Sequence, residues 1–117
     1  MALHHKLCHV LGGSFDLPHA ETHAVVLPHV VRFNEAAAPQ AIARVGRALG
    51  ASDAAGALFD LLEELGLPAR LDALGLRAED LPVAADLAMQ QTYANPRPVG
   101  SGDVLRILGD ALVGRRP

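Results

Sequence analysis

A chain of 117 residues, half of them hydrophobic and 20% charged, has room for one small domain and is too apolar for a disordered segment. Its net charge of -3 and lack of a basic stripe argue against a nucleic-acid binder. No apolar run approaches the roughly 18 residues of a membrane helix, and no h-region follows Lys6, so neither a membrane span nor a signal peptide is expected. Cys8 has no second cysteine to pair with, which suits a reducing, cytoplasmic setting. Ala and Leu make up about a third of the residues, a mixture that favours helix over strand.

Glycine and proline divide the sequence into helical segments. Leu3 to Leu11 reads as a first helix stopped by Gly12-Gly13, with a loop from Ser14 to Pro18. His19 to Phe33 reads as a second, with a kink or break at Pro28 and its end at Asn34. Ile42, Val45 and Leu49 form an apolar stripe on a third helix, closed by Gly50. Ser52 is the expected N-cap of a fourth, with Ala57, Leu58, Leu61, Leu62 and Leu65 facing inward. Gly66 should close it in a Schellman motif with Leu67, a pattern repeated at Leu74-Gly75-Leu76 after a short helix near Leu71. Asp80 is the expected cap of a helix running to about Tyr93. Asn95-Pro96-Arg97-Pro98 reads as an extended link, and Ser101 as the cap of a last helix with Val104, Leu105, Leu108 and Leu112 inside. No segment alternates long enough for a strand. The expectation is an all-α fold, a single helical domain over 1–117 with about six or seven helices.

All six histidines lie between His4 and His29. His5 and His9 are four apart on the first helix, and His19 and His23 repeat that spacing on the second, so each pair projects from one face. The short loop between the helices lets four imidazoles converge on one volume, suited to a metal or to proton transfer near neutral pH. The alternative is two unrelated surface pairs. His4 and His29 lack the pattern and read as solvated or locally hydrogen-bonded. Cys8 reads as a small buried hydrophobe.

The stretches Leu3-His-His-Lys-Leu-Cys-His-Val-Leu-Gly-Gly13 and Leu17-Pro-His-Ala-Glu-Thr-His-Ala-Val-Val-Leu-Pro-His29 closely resemble maleylacetate reductases, of the iron-containing alcohol dehydrogenase-like superfamily. Asn95-Pro-Arg-Pro-Val99 is similar to the family's stretch before its last helix. The resemblance covers essentially the whole chain but only the C-terminal, helical half of enzymes about three times longer. It implies NADH- or NADPH-dependent reduction of the carbon–carbon double bond of maleylacetate, giving 3-oxoadipate, in the breakdown of aromatic compounds.

By that resemblance His5 and His19 match metal-ligand positions for iron or zinc, and His9 matches a third histidine near the nicotinamide. His9 and His19 are assigned to catalysis. His5, His23 and Arg97 are assigned to the dicarboxylate substrate; the other reading of Arg97 is a solvated loop residue. The nucleotide-binding domain has no counterpart here: Gly12-Gly13 follows a predicted helix and is not a pyrophosphate loop. NADH or NADPH is therefore expected only with a partner domain, and the expected partner is a nucleotide-binding half supplied in trans or a second copy in a homo-oligomer formed through exposed apolar faces. The alternative function is a non-enzymatic helical module that self-associates or binds a metal through its histidines.

Overall fold

The structure is a computed structural model that describes residues 2–90 and 95–117. These residues form six α-helices and no strand. The helices are α1 (Ala2–Phe15), α2 (His19–Asn34), α3 (Pro39–Ala48), α4 (Ala54–Glu64), α5 (Leu81–Ala88) and α6 (Ser101–Val113), with two 3-10 turns, Asp72–Leu74 and Ala78–Asp80, before α5. The expected all-α fold is observed. With extents of 36 × 32 × 19 Å, the molecule is about two helix diameters thick. Helix α2 is its spine, packing on α1, α4, α6 and α3.

Helix α1 packs on α2 and α5 and buries Leu3, Leu7 and Leu11, spaced four apart, in a core shared with Val25, Val26 and Val30 of α2 and Ala84, Ala85 and Ala88 of α5. It does not stop at Gly12-Gly13; it runs through both to Phe15. The left-handed residue that ends it is Asp16 (φ 55°), and the Leu17 amide donates to the Leu11 carbonyl at 3.2 Å. A glycine pair weakens a helix by up to about 1 kcal/mol per residue, a cost the buried stripe behind it offsets.

Helix α2 is likewise unbroken across Pro28, which is buried within it. Proline costs the ladder one hydrogen bond, but Val25, Val26, Val30 and Val31 are each almost fully buried on both sides of it, and packing holds the helix together.

Two capping expectations shift by one residue. Asp53, not Ser52, caps α4, its carboxylate accepting from the Gly56 amide at 3.2 Å. Gly100, not Ser101, precedes α6, and its amide donates to the Asp103 carboxylate at 2.9 Å. Asp80 holds the expected N-cap position of α5, but its carboxylate accepts from the Arg77 amide at 2.9 Å, closing the preceding 3-10 turn, and makes no cap bond to α5. Helix α5 ends at Ala88 with Met89 as its C-cap, short of the expected run to Tyr93, which itself lies outside the described residues. The glycine stops at Gly50, Gly66 and Gly75 hold, each with positive φ, and the Leu67 amide donates to the Leu62 carbonyl at 2.9 Å, the Schellman bond; Gly114, also at positive φ, ends α6.

The buried face of α4 also differs from expectation. Ala55, Phe59 and Leu62 are buried, whereas Leu61 is 39% and Leu65 63% exposed. This helix is apolar around most of its circumference, so leucine periodicity alone does not select a face, and Phe59 settles it by packing near His29 of α2. In α6 the inward set is Val104, Ile107, Leu108 and Leu112, with Leu105 turned outward. Val83, Leu67, Val113 and Met89 join Leu61, Leu65 and Leu105 as exposed apolar side chains.

Candidate functional site

Helices α1 and α2 meet in a cleft of about 160 Å³ lined by His5, Cys8, His9, Gly12, Gly13, His19 and His23. The two glycines explain why there is space. They continue the two stripes of α1 that carry His4 with Cys8 and His5 with His9, each one turn further on, where any side chain would project toward the cleft. The structure thus brings His5, His9, His19 and His23 together. His5, His9 and His19 are exposed at its rim, and His23 is half-buried.

The imidazoles touch one another rather than carboxylates. The rings of His19 and His23 lie 4.2 Å apart between centroids, and those of His4 and His23 lie 5.0 Å apart, edge to face. A His4 ring nitrogen is 3.0 Å from the His23 carbonyl oxygen, to which it donates, tying the start of α1 to α2. Burial pushes the pKa of His23 below the ordinary histidine value, and the neighbouring His19, His4 and His5 push it the same way. Burial also lowers that of His4, outweighing its hydrogen bond to the His23 carbonyl. Both are neutral imidazoles at pH 7, able to accept a proton or offer a lone pair.

His4 and Cys8 are the residues that sequence reasoning missed. His4 is half-buried and bonded across helices, not solvated or locally bonded. Cys8 is buried, as expected of a small hydrophobe, yet its sulfur lies 3.6 Å from a His4 nitrogen and it lines the cleft. Burial raises its thiol to about 12, so it stands protonated. The signal was available: His4 and Cys8 have the same four-residue spacing as His5 and His9.

Arg97 is not in this cleft. It lies near the other end of α2, in a second cleft of about 430 Å³ lined by His29, Arg32, Phe33, Arg106, Ile107, Asp110, Arg116 and Pro117. Its guanidinium sits 4.2 Å from the Phe33 ring centroid and donates to the Phe33 carbonyl at 3.2 Å. Asn95, two residues earlier, locks this segment to Asn34 through paired amide bonds of 2.7 and 3.3 Å. His29 lines the same cleft but is 4% exposed, contrary to the expectation of a solvated or locally bonded residue, and its Nε2 has no hydrogen-bond partner among the described residues. Burial against Phe59 holds it neutral.

His5 and His19 supply two imidazoles. Among the described residues, however, one group of three metal-ligating side chains has its donor atoms within 4.8 Å of one another, and it is His4, Cys8 and His23. His5 and His19 belong to no such group of three among the described residues.

A sequence profile of the Fe-containing alcohol dehydrogenase family, C-terminal, matches residues 1–112. The whole chain is 52% identical to a maleylacetate reductase of Burkholderia cepacia and 50% identical to one of Pseudomonas knackmussii, in each case spanning 33% of the relative's length. Among solved structures, a putative alcohol dehydrogenase of Ralstonia eutropha superposes with a TM-score of 0.96 at 52% identity, covering all of this chain and 34% of that one. The maleylacetate reductase of Agrobacterium tumefaciens superposes with a TM-score of 0.95 at 49% identity, again over the whole chain and 33% of the other. A 1,3-propanediol oxidoreductase at 31% identity still gives 0.86 over 94% of this chain and 32% of its own. The chain spans about a third of the length of the relatives it matches. Sequence and fold agree: this chain belongs to the Fe-containing alcohol dehydrogenase family and corresponds to its C-terminal helical region.

Proposed function

We propose that this chain is the histidine-bearing helical part of a maleylacetate reductase, acting in the cytoplasm on a dicarboxylate in the breakdown of aromatic compounds. The observation that carries the reading is the convergence of four imidazoles on one cleft, in a chain about half identical to such reductases along its whole length. NADH or NADPH supplies the hydride when a nucleotide-binding half holds it. The described residues contain no strand, so they contain no strand–turn–helix unit to bind a dinucleotide.

What this chain contributes is the acid and the anion-binding face. Reduction of an alkene conjugated to a carbonyl leaves enolate charge that a proton must quench. His9, exposed at the rim, delivers that proton, and His19, on the facing helix, stabilises the enolate. His5 and His23 border the same space and orient the carboxylates by hydrogen bonding. Arg97 stays outside this assignment, because its guanidinium is engaged by Phe33 in the other cleft.

The test is reconstitution. The isolated chain should give no measurable oxidation of NADH or NADPH with maleylacetate, since proximity effects of about 7–11 kcal/mol depend on a docked nicotinamide. Supplying the nucleotide-binding half of a related reductase in trans should restore turnover, and His9→Ala should remove most of it. Robust turnover by the 117-residue chain alone, or restored turnover indifferent to His9→Ala, would overturn the assignment.

A further inference from the structure

We infer that His4, Cys8 and His23 form a binding site for a zinc-class ion, distinct from the two rim positions to which the family resemblance assigns a metal. Helix α1 presents the first two donors one turn apart, and α2 brings the third across the interface. All three donor atoms lie within 4.8 Å of one another. The decisive distance is the 3.6 Å between Cys8 Sγ and a His4 nitrogen. Bonds of about 2.3 Å to a thiolate and about 2.0–2.1 Å to an imidazole, at the tetrahedral angle, set sulfur and nitrogen about 3.5 Å apart. The pair is therefore already spaced as one edge of a zinc tetrahedron.

The donor set selects the ion. One thiolate with two imidazoles favours Zn2+ over Mg2+, Ca2+ or Mn2+, which prefer oxygen ligands. Cys8 and His23 both line the histidine cleft, leaving the fourth position open to water or to a carboxylate within it. Binding is not a redox step. The Cys8 thiol releases its proton to solvent as the sulfur–metal bond forms, and His4 exchanges its hydrogen bond with the His23 carbonyl for the metal by moving its ring proton to the other nitrogen. The site shares His23 with the substrate cleft proposed above, and it is testable without any turnover.

Titration of the reduced full chain with Co2+, a spectroscopic stand-in for Zn2+, tests it. One equivalent should produce a near-ultraviolet thiolate-to-cobalt charge-transfer band, which Zn2+ then abolishes. Cys8→Ser should lose the band, and His23→Asn should weaken binding tenfold or more. The double variant His5→Ala/His19→Ala should keep the band. Circular dichroism checks that each variant is helical. Should Cys8→Ser unfold, the wild-type chain still decides the matter: Zn2+ must protect Cys8 from alkylation by a small thiol reagent. Absence of a thiolate band, binding indifferent to His23→Asn, a band lost in the double variant, or a thiol alkylated equally fast with and without Zn2+ would each overturn the site.

Discussion

The two ends of α2 support clefts of opposite character. Toward its start, imidazoles meet imidazoles with no carboxylate among the residues lining the cleft. Toward its end, arginines are held by acids: Arg32 by Glu35 and Asp53 at 2.6 Å each, Arg106 by Asp103 at 2.7 Å, and Arg116 by Asp60 at 3.0 Å. The second cleft is larger, yet most of its charge is spent on joining helices and the C-terminal tail. The first is smaller, and its polar groups have few partners within the protein. Volume is therefore a poor guide to chemistry here; the donors without protein partners mark the site.

The largest effect that can break this contrast is on turnover. In the reconstituted enzyme, His9→Ala should lower kcat by roughly 10²–10⁴-fold, the usual contribution of a positioned acid. Arg97→Ala, measured beside it, should leave kcat of the same order. A comparable loss from both would mean that the two clefts serve one reaction.

Next in size is a stability effect confined to the arginine end. Asn34 is fully buried and shares its amide with Asn95. Asn34→Ala should cost about 1–3 kcal/mol in urea unfolding, because it strands partners in the interior. His5→Ala, on an exposed side chain, should move the midpoint far less.

A third distinction is the pH at which each kind of group fails. His4, His23 and His29 have pKa values lowered by burial, so the unfolded chain takes up protons that the folded chain refuses. Their contribution is complete above about pH 6.5 and is lost as the pH falls through that value toward the folded ones. The Arg116 hydrogen bond lowers the pKa of Asp60, and the Arg70 hydrogen bond that of Asp72, so these carboxylates contribute above their ordinary value of 3.8 and fail only below it. Thermal unfolding should therefore show one loss that begins as the pH falls through about 6.5, and a second that begins only below about pH 4. A flat Tm from pH 7 to 5 would contradict the first. The smallest effect is that of Arg116→Ala, whose exposed pairs should change stability little and even less in high salt.

Much of the fold was legible because α-helices leave local marks. Gly50, Gly66, Gly75 and Gly114 sit where the backbone turns left-handed, and the stripe Leu3, Leu7, Leu11 points at the core. The errors arose where tertiary packing outweighed a local rule. Gly12-Gly13 was read as a stop, but the leucines behind it bury a helix that passes through. On α4 four leucines point to one face, but the aromatic Phe59, buried with Ala55 and Leu62, decides which face is inside. In the site, the four patterned histidines were found from spacing alone. His4 escaped because its partner one turn away is a cysteine, and Arg97 was misplaced because a position along the chain does not show which end of α2 a later loop will reach.

Pro28 gives α2 one further property. Because it has no amide hydrogen, the hydrogen-bond ladder of the helix lacks one rung between the histidine end and the arginine end. A helix with an intact ladder opens cooperatively, whereas a missing rung lets the turns on either side open separately. Amide exchange should then report two protection levels along α2. The amides after Pro28, among them those of Val30 and Val31, should be the slower, because Asn34 and the arginine ties anchor that end. The turn carrying His19 and His23 should exchange faster, and ligands entering its cleft should slow it without altering the far half.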